Sequence, residues 1–383
     1  MINKTYEESI KLHKKHGGKL EVISKVPLKN KTDLSLAYTP GVAGVCEAIA
    51  KNPKLAKEYT IKKNTIAIVS DGSAILGLGN LGPLAAIPVM EGKACIFKDF
   101  GGVDAFPICL DTQDTEEIIK AVKQIAPVFG GINLEDISAP RCFEIEERLR
   151  NELDIPVMHD DQWGAATVIL SALINALKVR KNKKEEVKVV LSGVGAAGVA
   201  TGRLLHSYGI INTIFCDSQG IIYKERSNIN KEKLELISKS ILSPSEGKLV
   251  DALIGADVFI GLSRPNVLTG EMIKKMNKDP IIFALANPSP EITPEEAHEA
   301  GAFIVATGRS DYPNQINNSL VFPNAFKAML DFQIPQFENE IFTTIALALA
   351  RVVQNPTKDN IIPSMFDDGV KEAVYNAVAS LKK

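Results

Sequence analysis

The run LSGVGAAGVATGRLL, residues 191–205, constrains the fold of this chain more than any other segment. Gly193, Gly195 and Gly198 stand in G-x-G-x-x-G spacing, directly after a β-branched run and directly before a small-residue helix. In such a turn the first glycine permits the tight reversal and the second lets a pyrophosphate approach the backbone. The third lets helix and strand pack closely. The helix start at Ala196 and Ala197 adds unpaired N–H groups and a partial positive charge suited to phosphates. A tight strand-to-helix turn with no ligand is the plainer alternative. The next strand ends at Asp217, about where a carboxylate accepts hydrogen bonds from the adenine ribose of a dinucleotide. A charge there repels a 2′-phosphate, which favours NAD over NADP, although Lys224 and Arg226 just downstream offer NADP a counter-charge.

Around this turn, residues 187–308 alternate strand-like runs (VKVVLSG, TIFCD, DVFIGLS, IIFALAN, FIVATG) with helix-length segments, the pattern of a doubly wound parallel sheet in an α/β fold. The preceding residues suggest helices over 6–16 and 42–52 and short strands over 65–70, 94–97, 106–110 and 157–159. Between the blocks, 162–180 repeats Ile169, Leu170, Leu173 and Leu177 at helical spacing, so it should join two domains through a buried face. With 383 residues the chain exceeds a single ordinary core, and the expected division is 1–160 and 161–383. Helices over 338–354 and 367–381 are expected to pack back onto the first domain.

A net charge of −2, from 44 basic and 46 acidic residues, offers no global attraction for nucleic acid or an anionic membrane, so a small-molecule substrate is the better expectation. The five cysteines are odd in number and scattered, as in a reduced cytoplasmic protein. No signal-like amino terminus and no uninterrupted membrane-length apolar run is visible, which also points to the cytoplasm.

Two acidic pairs stand out, Glu135-Asp136 and Asp160-Asp161, each after a strand and before a helix. Clustered carboxylates without cysteine or imidazole suit Mg²⁺ or Mn²⁺. Taken singly, Asp136, Ser138 or Asp161 serves equally well as a helix cap. Tyr38 precedes a Thr-Pro-Gly turn that would hold its phenol in an ordered loop. Lys93 opens the apolar run ACIF, read as a strand, where burial would lower its pKa toward general-base work. Asn287 closes a strand, and Asn318 begins a helix; both are ordinary turn and cap positions that can also donate to a carboxylate. The histidines show no zinc-ligand spacing.

Read together, SLAYTPGVA (35–43), SDGSAILGLGNLG (70–82), FGGVDAFPICLDT (100–112), NLEDISAP (133–140), HDDQWGAA (159–166), SGVGAAG (192–198) and ALANPSPEI (284–292) resemble the malic enzyme family in its short microbial form, in order and over nearly the whole chain. The resemblance implies an amino-acid-dehydrogenase-like α/β domain followed by a Rossmann-type domain, in a homodimer. It implies metal-dependent oxidative decarboxylation of (S)-malate to pyruvate and CO₂. Tyr38 then matches the acid, Lys93 the base, Glu135, Asp136 and Asp161 the metal ligands, and Asp160 the neighbour of the lysine. Asn287 and Asn318 match substrate contacts. Trp163 and Ala165 depart from the family string, and Ala74 stands where larger relatives carry a carboxylate-binding arginine. A malolactic-type enzyme, another metal-dependent hydroxy-acid dehydrogenase, and a catalytically silent dinucleotide sensor remain as alternatives.

Overall fold

Thr65–Ser70 is buried along its whole length, as a strand covered by helices on both faces must be. It is strand β1 of a computed structural model that describes every residue except Met1, Leu76, Gly77, Asn228, Ser243 and Lys383, and leaves out the side chains of Ile2 and Asn3. With β2 (Asp104–Cys109), β3 (Gly131–Leu134) and β4 (Val157–His159) it forms a parallel sheet of order β2-β1-β3-β4. The second sheet holds β5 (Val189–Ser192), β6 (Thr213–Asp217), β7 (Gly220–Ile221), β8 (Val258–Gly261), β9 (Ile281–Ala284) and β10 (Ile304–Thr307). Its order is β10-β9-β8-β5-β6-β7, parallel except for the short β7, which runs against β6. The strand order reverses direction between β5 and its neighbours β6 and β8, so a crevice opens at the carboxyl ends of those strands.

One expected strand is absent. Residues 94–97 lie inside a helix, Pro83–Gly101. Its buried positions Ala86, Met90, Lys93, Ala94, Phe97 and Gly101 recur at intervals of three and four, which is a helical stripe. A four-residue apolar run is compatible with either structure, and Pro88 inside the helix hides the longer pattern. Gly102, left-handed at φ 64°, ends it.

The helix Asp160–Arg180 starts at the end of β4 and is buried on nearly every side. It is the one helix among the described residues long and apolar enough to cross a membrane, and its apolar surface is spent on the protein interior instead. Its far end is tied to the second sheet by Arg180, which donates to Asp257 at 3.0 Å and to the Lys278 carbonyl at 2.7 Å. After β10 the chain returns to the first sheet's side. Phe322 and Phe326 of helix Phe322–Phe332 pack on Phe97, with ring centroids 4.8 and 5.6 Å away. The contact is so close that a side chain on Gly101 would strike the Pro323 carbonyl.

Candidate active site

Because β3 and β4 are parallel neighbours, with Leu134 beside His159, the residues that follow them leave the sheet at one edge. Those residues are the two acidic pairs. Among the described residues, one oxygen each from Glu135, Asp136 and Asp161 lies within 4.8 Å of the others. None of the three caps a helix: Arg141–Glu152 and Asp160–Arg180 begin at Pro140 and His159 without a side-chain cap. Instead Asp161 Oδ2 accepts the Asp136 backbone N–H at 2.8 Å, bridging the two loops. Asp136 itself is left-handed at φ 52°, a conformation that costs a non-glycine residue about 1 kcal/mol or more and often marks functional sites.

Lys93 points into this cluster from its helix and is 7% exposed. Its Nζ donates to Asp160 Oδ2 at 2.6 Å and to Glu135 Oε2. The expected lowering of its pKa is not what the surroundings produce. Burial pushes the amine down, but Asp160, Glu135 and Asp161 together push it further up, so the net shift is upward. In turn, burial pushes Asp160 up to about 7 against the pull of Lys93, with Glu135 adding to the rise. Burial raises Glu135 and Asp161 as well. Four carboxylates around one ammonium, buried at Glu135, Asp136 and Asp160 and half-buried at Asp161, therefore leave an excess of negative charge that a divalent cation would neutralise. The all-oxygen donor set fits Mg²⁺ or Mn²⁺.

Asn318 Nδ2 donates to Asp160 at 2.5 Å, and so it acts on the same carboxylate as Lys93. Asn287 lines the cavity that opens above the cluster, a space of about 900 Å³ that also reaches Gly195, Ala196 and Ala197 at the start of helix Ala196–Tyr208. The glycines there divide their tasks as the spacing predicts. A side chain at Gly193 would collide with the Leu262 carbonyl, and one at Gly198 with the Gly193 carbonyl, whereas nothing stands within 4 Å of one at Gly195. That open face is where a pyrophosphate can meet the backbone. Asp217 ends β6 and is held by Arg226 at 2.8 Å, Lys233 at 2.9 Å and the Gln219 N–H at 3.0 Å. Partial burial pushes its carboxyl up, but Lys233, Gln219 and Arg226 outweigh this and hold it below the usual range.

Tyr38 is not brought to the cluster. It caps the carboxyl end of helix Lys31–Ala37, is 66% exposed, and is absent from the cavity lining. Two supporting groups were not read from the sequence. Buried Glu146 accepts the His159 N–H at 2.9 Å, Gln162 at 2.8 Å and the Trp163 indole at 3.1 Å, which anchors the turn that presents Asp160 and Asp161. Trp163 also stacks on Phe342, so its departure from the family string is a packing feature. Arg141 donates to Asp71 at 2.9 Å and to Ser73 and Ser138, bracing the Glu135–Asp136 loop from behind.

Comparison with known proteins gives this arrangement a family. The model described as the malic enzyme N-terminal domain matches residues 17–150, and that of the malic enzyme NAD-binding domain matches 163–380. The chain belongs to the malic enzyme family. An NAD-dependent malic enzyme of Geobacillus stearothermophilus is 56% identical over 94% of this chain and 76% of its own length. A bifunctional malic/malolactic enzyme of Bacillus subtilis (strain 168) is 51% identical, over 97% of this chain and 92% of its own. The crystal structure of an NAD-dependent malic enzyme from Thermotoga maritima superposes with a TM-score of 0.93 at 49% identity, covering 96% of this chain and 98% of that one. The malic enzyme fold is thus an α/β architecture with a Rossmann-like parallel sheet and carboxyl-terminal helices, and its nicotinamide domain contains the glycine turn described above.

Proposed function

We propose that this protein oxidatively decarboxylates (S)-malate to pyruvate and CO₂ while reducing a nicotinamide dinucleotide, in the cytoplasm. The observation that carries the reading is the convergence of Lys93, the three-carboxylate cluster and the glycine cradle on one cavity. We divide the chain into a substrate and metal domain, 1–160, and a dinucleotide domain with its helical extension, 161–383.

Glu135, Asp136 and Asp161 are the residues that would hold Mg²⁺ or Mn²⁺. A dication there would polarise the substrate's C2 oxygen and offset the carboxylate charge around Lys93, and a bound nicotinamide would supply the hydride acceptor. With that charge offset, Lys93 Nζ in its neutral form takes the proton of the C2 hydroxyl as C2 gives up its hydride. Asp160, shared with Asn318, fixes the amine against that oxygen. Asn287 and Asn318, which line the same cavity, donate to substrate oxygens. A phenol, Tyr38, protonates C3 after CO₂ departs. Since Tyr38 is exposed on its own copy, we assign it to the site of a second copy in a homodimer. NAD is the expected acceptor, because the cations Arg226 and Lys233 are already engaged by Asp217.

The test is malate-dependent NADH absorbance with Mn²⁺ and with EDTA. Chelation should abolish turnover. Lys93→Ala should abolish it as well, by at least about a thousandfold, the scale of a general base plus its positioning, while calorimetric NAD binding stays within about twofold. Full activity and metal affinity in Glu135→Gln would remove the ligand assignment. Given the malic/malolactic relative, lactate should be assayed beside pyruvate as a second product.

A further inference from the structure

Malate carries two carboxylates, and the arrangement above accounts for one charge more readily than for both. The carboxylate beside the carbinol falls to the dication site, whereas the remote one must enter a cavity whose floor is acidic. Among the described residues lining that cavity, the side chains able to carry positive charge are His13, Lys19 and Lys93. Lys93 is paired with Glu135 and Asp160 and is already assigned to the C2 hydroxyl. His13 holds the Ser9 carbonyl of its own helix through Nδ1 at 2.8 Å, which leaves Nε2 as its one further polar atom.

Lys19 is differently placed. Its Nζ donates to the Pro88 carbonyl at 2.7 Å, a neutral acceptor that leaves the positive charge and two further N–H donors available. Its backbone carbonyl accepts the Cys95 thiol at 3.7 Å, so both ends of the residue lie along the helix that carries Lys93. Gly18, at φ +113°, turns the chain onto that helix. Gly92 clears the path: a methyl group there would sit 3.2 Å from the Lys19 ammonium. A glycine in a helix interior is destabilising relative to alanine, and here the space it leaves is occupied by this side chain.

We propose that Lys19 binds the substrate carboxylate remote from the hydroxyl-bearing carbon and thereby makes the site selective for a dicarboxylate. This rests on the malate reading. That carboxylate is the one lost as CO₂, so its ion pair with Lys19 belongs to substrate capture and is given up as the C–C bond breaks. A contact of this kind appears in KM and not as a loss of kcat.

Steady-state rates of wild type, Lys19→Met and Lys19→Arg provide the test, with malate and NAD varied in turn and pyruvate as product inhibitor. Lys19→Met should raise the KM for malate about tenfold or more, the scale of one charge-assisted hydrogen bond. Its kcat, its KM for NAD and its inhibition by pyruvate, which lacks the remote carboxylate, should stay within about twofold, and Lys19→Arg should restore most of the loss. An unchanged malate KM in Lys19→Met overturns the proposal, as does a rise confined to NAD or shared equally by pyruvate. A wild-type protein that oxidises no malate removes the functional reading and this inference together, whereas an active wild type with an indifferent Lys19→Met removes only the latter.

Discussion

Asp217 shows how one residue's partners decide a specificity that its identity alone leaves open. A carboxylate at the end of β6 is the expected ribose acceptor, yet here it lies between Arg226 and Lys233, which are also the cations a 2′-phosphate would seek. While Asp217 is ionised, it keeps both occupied. Asp217→Asn should release them: the KM for NADP falls about tenfold or more and that for NAD rises, read from paired initial rates. An unchanged ratio would mean that Asp217 does not face the ribose. At this scale the sequence was informative where chemistry is local. The acidic pairs were readable because each sits immediately after a strand end. Glu146 and Arg141 were not, because they act on residues far along the chain, Arg141 reaching Asp71 across 70 positions, and no local pattern encodes such a pairing. The upward shift of Lys93 has the same origin: burial was legible, but not the carboxylates that converge on it.

Among the elements, the helix Asp160–Arg180 carries the heaviest structural duty. Its first turn supplies Asp160 and Asp161, its middle is buried, and its last turn is anchored to the second sheet through Asp257. Leu173, fully buried, sits far from the acidic turn. Leu173→Ala should lower stability by about 2–5 kcal/mol, seen as a reduced urea midpoint with little change in slope, while the KM for malate in the folded fraction stays near wild type. A mutant as stable as wild type would show that the helix is less tightly packed than described. The periodicity of this helix made it legible in advance. The Pro83–Gly101 helix was not, because Pro88 and Gly92 interrupt its pattern and leave ACIF looking like an isolated strand. Both residues have a use there: the Pro88 carbonyl and the missing side chain at Gly92 together receive Lys19.

For the molecule as a whole, the amino-terminal arm stands out by how little of it is buried. Helices Lys31–Ala37 and Val42–Lys51 contain no buried residue, and Leu20, Val22, Ile23, Leu28, Leu36 and Tyr38 are all exposed. In the homodimer proposed above, these exposed apolar side chains are the surface a second copy would cover. If two copies exchange arms across a two-fold axis, each site draws Tyr38 from one copy and Lys93 from the other. Complementation then separates the possibilities. Tyr38→Phe and Lys93→Ala homodimers should each be nearly inactive in pyruvate formation. Once they are mixed and subunits exchange, half of the dimers become hybrids, and each hybrid holds one site with both native residues and one with neither. About a quarter of wild-type activity should therefore return. If Tyr38 served its own copy, every site in the hybrid would still lack one group and mixing would restore nothing.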